Sequence, residues 1–172
     1  MAVASSGRSY TIEDIEKKAD QIREDLGIIS VPVDPVLIAN KLGIKVNLAA
    51  FNEDDIAGMF VKRGANRSIL VRHSDVPTRL RFTIAHEIGH DQLHFGEPSS
   101  DFIDVDADLY RIQGKSNRCE TQANRFAAAL LMPREEVKKR WINSKSVKEL
   151  ASLFQVSEEA MGYRLDALDL EK

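Results

Sequence analysis

From about Thr78 to His94 apolar residues recur at helical spacing, and Gly96-Glu97-Pro98 stops the run. His86, His90 and His94, three of the chain's four histidines, lie in this one segment, each four residues from the next. On a helix, residues four apart sit about 40° apart around the axis and ~6 Å along it, so His86 and His90 can reach one ion from one face. Glu87 lies about 100° round from His86, so it borders such an ion without ligating it. His86-Glu87-Ile88-Gly89-His90 therefore fits H-E-x-x-H, two imidazole ligands with a carboxylate placed to take a proton from water at the metal. A helix whose histidines are merely hydrogen-bonded at its polar edge uses the same residues. The position of the motif, in a strongly helical segment directly after a hairpin, favours the metal site.

His94 is a poor third ligand. Its Cα would lie ~12 Å along the axis from that of His86, too far for one straight helix to aim both rings at one ion. It reads instead as a helix C-terminal residue or as a group supporting the site. Cys119-Glu120-Thr121-Gln122-Ala123-Asn124 supplies a better candidate. Glu120 stands near the start of an alanine-rich helix, and Asn124 follows one turn later on the same side, where it can orient His86 or His90 through the ring N–H. Ala123, Ala127 and Ala128 would let this helix pack close to the first. Cys119 points about 100° away from Glu120 and cannot serve equally. Two histidines, one glutamate and a water complete a catalytic zinc shell, one ion per chain, although such a set also accepts other first-row metals.

At 172 residues the chain suits one domain and can bury a core without disulfides. A net charge of −3 leaves no global field toward nucleic acid or anionic lipid, and the single cysteine excludes an internal disulfide. The opening MAVASSGRSY has no signal-peptide core, and no apolar run approaches a membrane span. A cytoplasmic protein without a membrane partner is expected.

Residues 1–10 read as a flexible start. Thr11 caps a helix to about Leu26, stopped by Gly27, and Asp34-Pro35 begins a second, ended by Gly43. Residues 44–49, 56–61 and 68–71 read as strands of an antiparallel sheet, the last two joined as a hairpin by KRGANR. Residues 96–116 form a long polar connection that can cover a cleft. Helices follow over about 117–131, around Trp141, and twice in the tail, meeting at Val156-Ser157. The expected architecture is α+β: a core over 11–143 with an active-site helix and a mostly helical C-terminal half, and a helix-turn-helix-like tail over 144–172 packed on it.

RFTIAHEIGHDQLH followed by E-x-x-A-N-x-F-A-A-x-L-L-M-P resembles the ImmA/IrrE group of metallopeptidases, from about residue 12 to the C-terminus. The resemblance implies a small zincin-like core, with His86, His90 and Glu120 as zinc ligands and Glu87 as the catalytic acid/base. It also implies cleavage of a specific regulatory protein, a transcriptional repressor or an antitoxin-like partner. A chain that keeps the zinc site but only sequesters a regulator is the alternative.

Ala57, Gly58 and Met59, in the strand before the hairpin, are the candidate substrate contacts, because a free strand edge beside the zinc helix can pair with an extended peptide. A plain interior strand fits the same residues. The oxyanion-stabilising group stays open among His73, Tyr110, Arg111 and Arg118. In the tail, Ala151, Val156, Met161 and Leu165 have helix-turn-helix spacing. Residues 146–172, however, hold three basic and six acidic side chains, so phosphates would repel them and no direct nucleic-acid contact is expected.

Overall fold

The computed structural model describes residues 10–52, 56–94, 102–106 and 116–170. Helix α1 (Ile12–Asp25) starts with a capping box: the Thr11 hydroxyl accepts from the Asp14 amide at 3.1 Å, and the Asp14 carboxylate accepts from the Thr11 amide at 2.9 Å. Helix α2 (Pro35–Lys41) is capped by Asp34, with proline in its first turn. Gly27 and Gly43, just past these helices, have φ of 68° and 75°, the left-handed stop expected of them.

Strands β1 (Ile44–Ala49), β2 (Gly58–Arg63), β3 (Asn66–Arg72) and β4 (Phe102–Asp106) form one sheet in the order β1-β3-β2-β4. β2 and β3 are the expected antiparallel hairpin. Two features differ from expectation. β1 runs parallel to β3, so the sheet is mixed, because the chain leaving β1 passes beyond β3's place before the hairpin folds back between them. β4 lies within the polar stretch read as a connection, and it pairs antiparallel with β2, Gly58 opposite Asp106 and Phe60 opposite Asp104. β2 is thus an interior strand and offers no free edge at Gly58 and Met59. Phe102-Ile103-Asp104-Val105-Asp106 does alternate apolar and polar residues as a strand would, but the run is short and stands among polar residues, and pairing with β2 fixes it as a strand. Ser116 of the 96–116 stretch opens the helix that follows; the rest of that stretch, and residues 1–9 of the start expected to be flexible over 1–10, lie outside the described residues.

Helix α3 (Pro77–Leu93) packs on β2 and β3 and against α2 and α4 (Ser116–Leu131). Every residue from Thr83 to Asp91 is buried. A helix enclosed so completely should be apolar all round; this one buries His86, Glu87, His90 and Asp91 instead. Asp91 is matched by Arg67 of β3 at 2.7 Å, and the same guanidinium donates to the Leu42 carbonyl beyond α2. Charged groups of this kind are buried only where partners offset desolvation.

Helices α5 (Arg134–Ser144), α6 (Val147–Phe154) and α7 (Glu158–Ala167) complete the chain. Ala151, Val156, Met161 and Leu165 are buried in the hydrophobic cluster that also holds Ile15, Ile88 and Phe126. Arg164 of α7 donates through Nη2 to Glu16 Oε2 of α1 at 2.9 Å, through Nη1 to Oε1, and through Nε to the Met132 carbonyl at 2.9 Å. Among the described residues no helix is long and apolar enough to cross a membrane.

Both members of the Glu16–Arg164 pair are buried, so removing one strands the other. Arg164→Met is expected to cost ~3–5 kcal/mol in urea unfolding, whereas the double replacement Glu16→Leu/Arg164→Met should lie much nearer wild type. Equal losses in the single and double variants would show that the pair carries no such coupling.

Candidate metal centre

His86 and His90 project from consecutive turns of α3 with their Nε2 atoms 2.9 Å apart. Glu120, in the second turn of α4, brings Oε2 to 3.2 Å from His86 Nε2 and Oε1 to 3.3 Å from His90 Nε2. These three residues form a group able to hold a metal ion, their ligand atoms all within 4.8 Å of one another. The fit is chemically specific. Ligand atoms ~2.0–2.1 Å from a tetrahedral ion stand ~3.3 Å from each other, close to the two imidazole–carboxylate separations. Burial opposes ionisation of Glu120. The hydrogen bonds and positive charge of His86 and His90 outweigh it and hold the carboxyl well below the usual range.

Asn124 lies one turn beyond Glu120, and its Oδ1 accepts from His86 Nδ1 at 2.8 Å. A carbonyl oxygen only accepts, so Nδ1 carries a proton and Nε2 is the His86 nitrogen that faces Glu120 and His90 and would bind an ion. His94 stands at the C-cap of α3, its ring centroid 5.5 Å from that of His90. It turns away from the group: Nε2 donates to the Cys119 carbonyl at 3.3 Å, tying the end of α3 to the turn before Glu120. Burial, reinforced by the positive charge of His90, lowers its pKa to about 4 against the opposing pull of the Cys119 carbonyl and Glu120. The ring is therefore neutral at pH 7. Cys119 contributes a backbone oxygen here, and its thiol is not in the ligand group.

Close backbone approach brings the two helices together. A Cβ on Gly89 would sit 3.1 Å from Phe126 Cδ1 and 3.2 Å from both the Cα and the carbonyl oxygen of Ala123. Glycine on α3 facing alanine on α4 sets the separation at which Glu120 meets both imidazoles. A second glycine works on the other side of α3. A Cβ on Gly58 would meet Thr83 Cγ2 at 2.4 Å and Glu87 Oε1 at 3.2 Å. Gly58 thus lets the sheet touch α3 beside Glu87, whose side chain is buried between helix and strand.

Ala57 and Gly58 are buried and Met59 half-buried. Arg72 holds the entry to β2, donating through Nε to the Ile56 carbonyl at 3.0 Å. His73 is exposed in the turn after β3, and its amide bonds the Ala49 carbonyl. Arg118 is exposed at the start of α4, and Tyr110 and Arg111 fall outside the described residues. The Asp91–Arg67 pair and the Gly58–Thr83 contact had no signal in the sequence, since each joins segments far apart in the chain.

Asn124→Ala is expected to weaken metal binding about 10–100-fold, read by competition with a chromogenic chelator, with little loss of stability because the residue is exposed. Gly89→Ala should cost ~1–3 kcal/mol and weaken metal binding as well, because α4 must move. Gly58→Ala should destabilise by a similar ~1–3 kcal/mol, and adding Thr83→Ser should recover part of it by removing the methyl that the new Cβ meets. Wild-type stability in Gly89→Ala and Gly58→Ala would show that these approaches are looser than the structure has them.

The chain is similar in fold to a Mycobacterium tuberculosis transcriptional regulator, with a TM-score of 0.63 and 19% identity over 90% of this chain. It spans 46% of that protein's length. No curated protein matches the chain. The family model for the IrrE N-terminal-like domain, Peptidase M78, matches residues 39–166, a stretch that contains the whole of α3 and α4 with the three candidate ligands. The chain belongs to the IrrE N-terminal-like Peptidase M78 family.

Proposed function

We propose that this chain is a zinc-dependent endopeptidase that cleaves a specific regulatory protein, a transcriptional repressor or an antitoxin-like partner, in the cytoplasm. The observation that carries the reading is the convergence of two imidazole nitrogens and a carboxylate beside a buried glutamate on the same helix. Peptidase family membership supports the reaction class. A regulator as substrate accords with the name of the mycobacterial neighbour and with the family resemblance.

In this reading His86, His90 and Glu120 hold the ion. Zinc supplies Lewis-acid chemistry, polarising a peptide carbonyl and making water acidic enough to lose a proton near neutral pH. Glu87, one residue from His86 and buried beside Gly58, accepts that proton and returns it to the departing amine. Asn124 keeps the His86 proton on Nδ1 throughout, so Nε2 stays available as a ligand. With β2 interior to the sheet, Ala57, Gly58 and Met59 would reach substrate only through the faces of the strand. The acidic tail keeps the chain off duplex DNA, so contact with a repressor is protein to protein.

Wild-type protein is expected to carry about one zinc per chain by elemental mass spectrometry, and Glu120→Ala to lose it. Glu87→Gln should retain zinc and lose cleavage of the partner by ~10²–10⁴-fold, read as fragments by intact-mass analysis. Zinc retained in Glu120→Ala would move the third ligand elsewhere. A wild-type chain that binds its regulator and releases no fragments would replace the peptidase with the sequestering protein.

A further inference from the structure

A cavity of about 660 Å³ lies between α1, α4 and α7, with Phe82 of α3 in its wall. Its size falls in the range of small-molecule sites. Thr121, Arg125 and Ala128 line it as one stripe of α4, with Met132 just beyond the end of the helix. Ile12 of α1 and Tyr163 of α7 border it, and they are 55% and 69% exposed, large surfaces that the hydrophobic core does not use.

The charge of this wall runs against that of the molecule. The chain carries −3, yet the lining has three guanidiniums, of Arg125, Arg134 and Arg164, against the one carboxylate of Glu16. Arg164 is committed to Glu16, and Arg134 reaches Glu13 at 3.4 Å. Arg125 has no ion-pair or hydrogen-bond partner among the described residues. Arg125 is exposed where it borders this mostly apolar pocket, and a guanidinium there without a carboxylate partner favours an anion on an apolar body, a carboxylate matching its planar fork. Phe82 and Tyr163 favour a flat ring as that body.

We propose that this cavity binds a small aromatic carboxylate, with the ring against Ile12, Phe82 and Tyr163 and the carboxylate on Arg125. Asn124 lines the same cavity while it accepts from His86. A ligand seated there shares a residue with the metal centre and acts as an effector of it. That consequence rests on the peptidase reading; the binding itself does not.

The test is calorimetric titration of the full chain with naphthoate, beside its uncharged isostere naphthamide and the cation naphthylmethylammonium. Amide NMR locates the perturbed residues. Saturable binding of naphthoate is expected, with shifts confined to α1, α4, α7 and the neighbourhood of Phe82. The amide and the cation should bind roughly tenfold more weakly or worse. Arg125→Ala should abolish the preference for the acid, and Ala167→Trp, at an exposed lining position, should block all three compounds. Equal affinity for acid and amide, binding untouched by both substitutions, or no saturable binding of naphthoate overturns the proposal. Zinc content is measured in parallel. Wild-type zinc in Arg125→Ala separates loss of the pocket from loss of the metal site, and naphthoate binding by a chain that takes up no zinc would leave the pocket standing while the peptidase reading fell.

Discussion

The contact between Gly89 and Ala123 governs the candidate site. No side chain separates the two backbones there, so α3 and α4 cross at close range. Glu120 lies three residues before Ala123 and Asn124 one residue after it, so the crossing carries both to the histidine face of α3. A helix-helix distance is set by the bulk at the crossing point, and 8–10 Å between axes is the ordinary range. Glycine against alanine lies at the tight end of what side-chain size permits. The carboxylate reaches both imidazoles because almost nothing stands between the helices.

α3 itself is an expensive element. It buries two histidines and two carboxylates where packing alone would favour aliphatic residues. Arg67 answers Asp91, Asn124 answers His86, and Glu120 answers both His86 and His90. His94 closes the arrangement by bonding the backbone just before Glu120. These partners come from β3 and α4, so the polar helix is stable only inside the assembled fold. Burial of Glu87 beside Gly58 also suits the proposed role, since a carboxylate shielded from bulk water interacts more strongly with the charges near it.

Much of the fold was legible locally. Thr11, Asp34, Gly27 and Gly43 mark helix ends by short-range hydrogen bonds and left-handed backbone, and the structure puts α1 and α2 where those residues do. The KRGANR turn joins β2 to β3 as its glycine and asparagine suggest. The parallel pairing of β1 and the insertion of β4 beside β2 were not legible, because strand order depends on which edges remain open after the hairpin closes. The strand β4 cost the sequence reading its free edge at Gly58. The glycine at position 58 serves the close approach to Thr83 of α3.

What the sequence determined by itself is the pattern internal to each helix: His86 and His90 on one face with Glu87 beside them, and Glu120 and Asn124 one turn apart on another. Those relations follow from 3.6 residues per turn and need no neighbour. Tertiary structure alone decided that the two faces meet, at 3.2 and 3.3 Å from imidazole to carboxylate. It also joined Glu16 to Arg164 across 148 positions and opened the Arg125 cavity beside them. Helical periodicity is a property of a few consecutive residues, whereas the distance between two helices depends on every side chain that lies between them and on the sheet that holds one of them still.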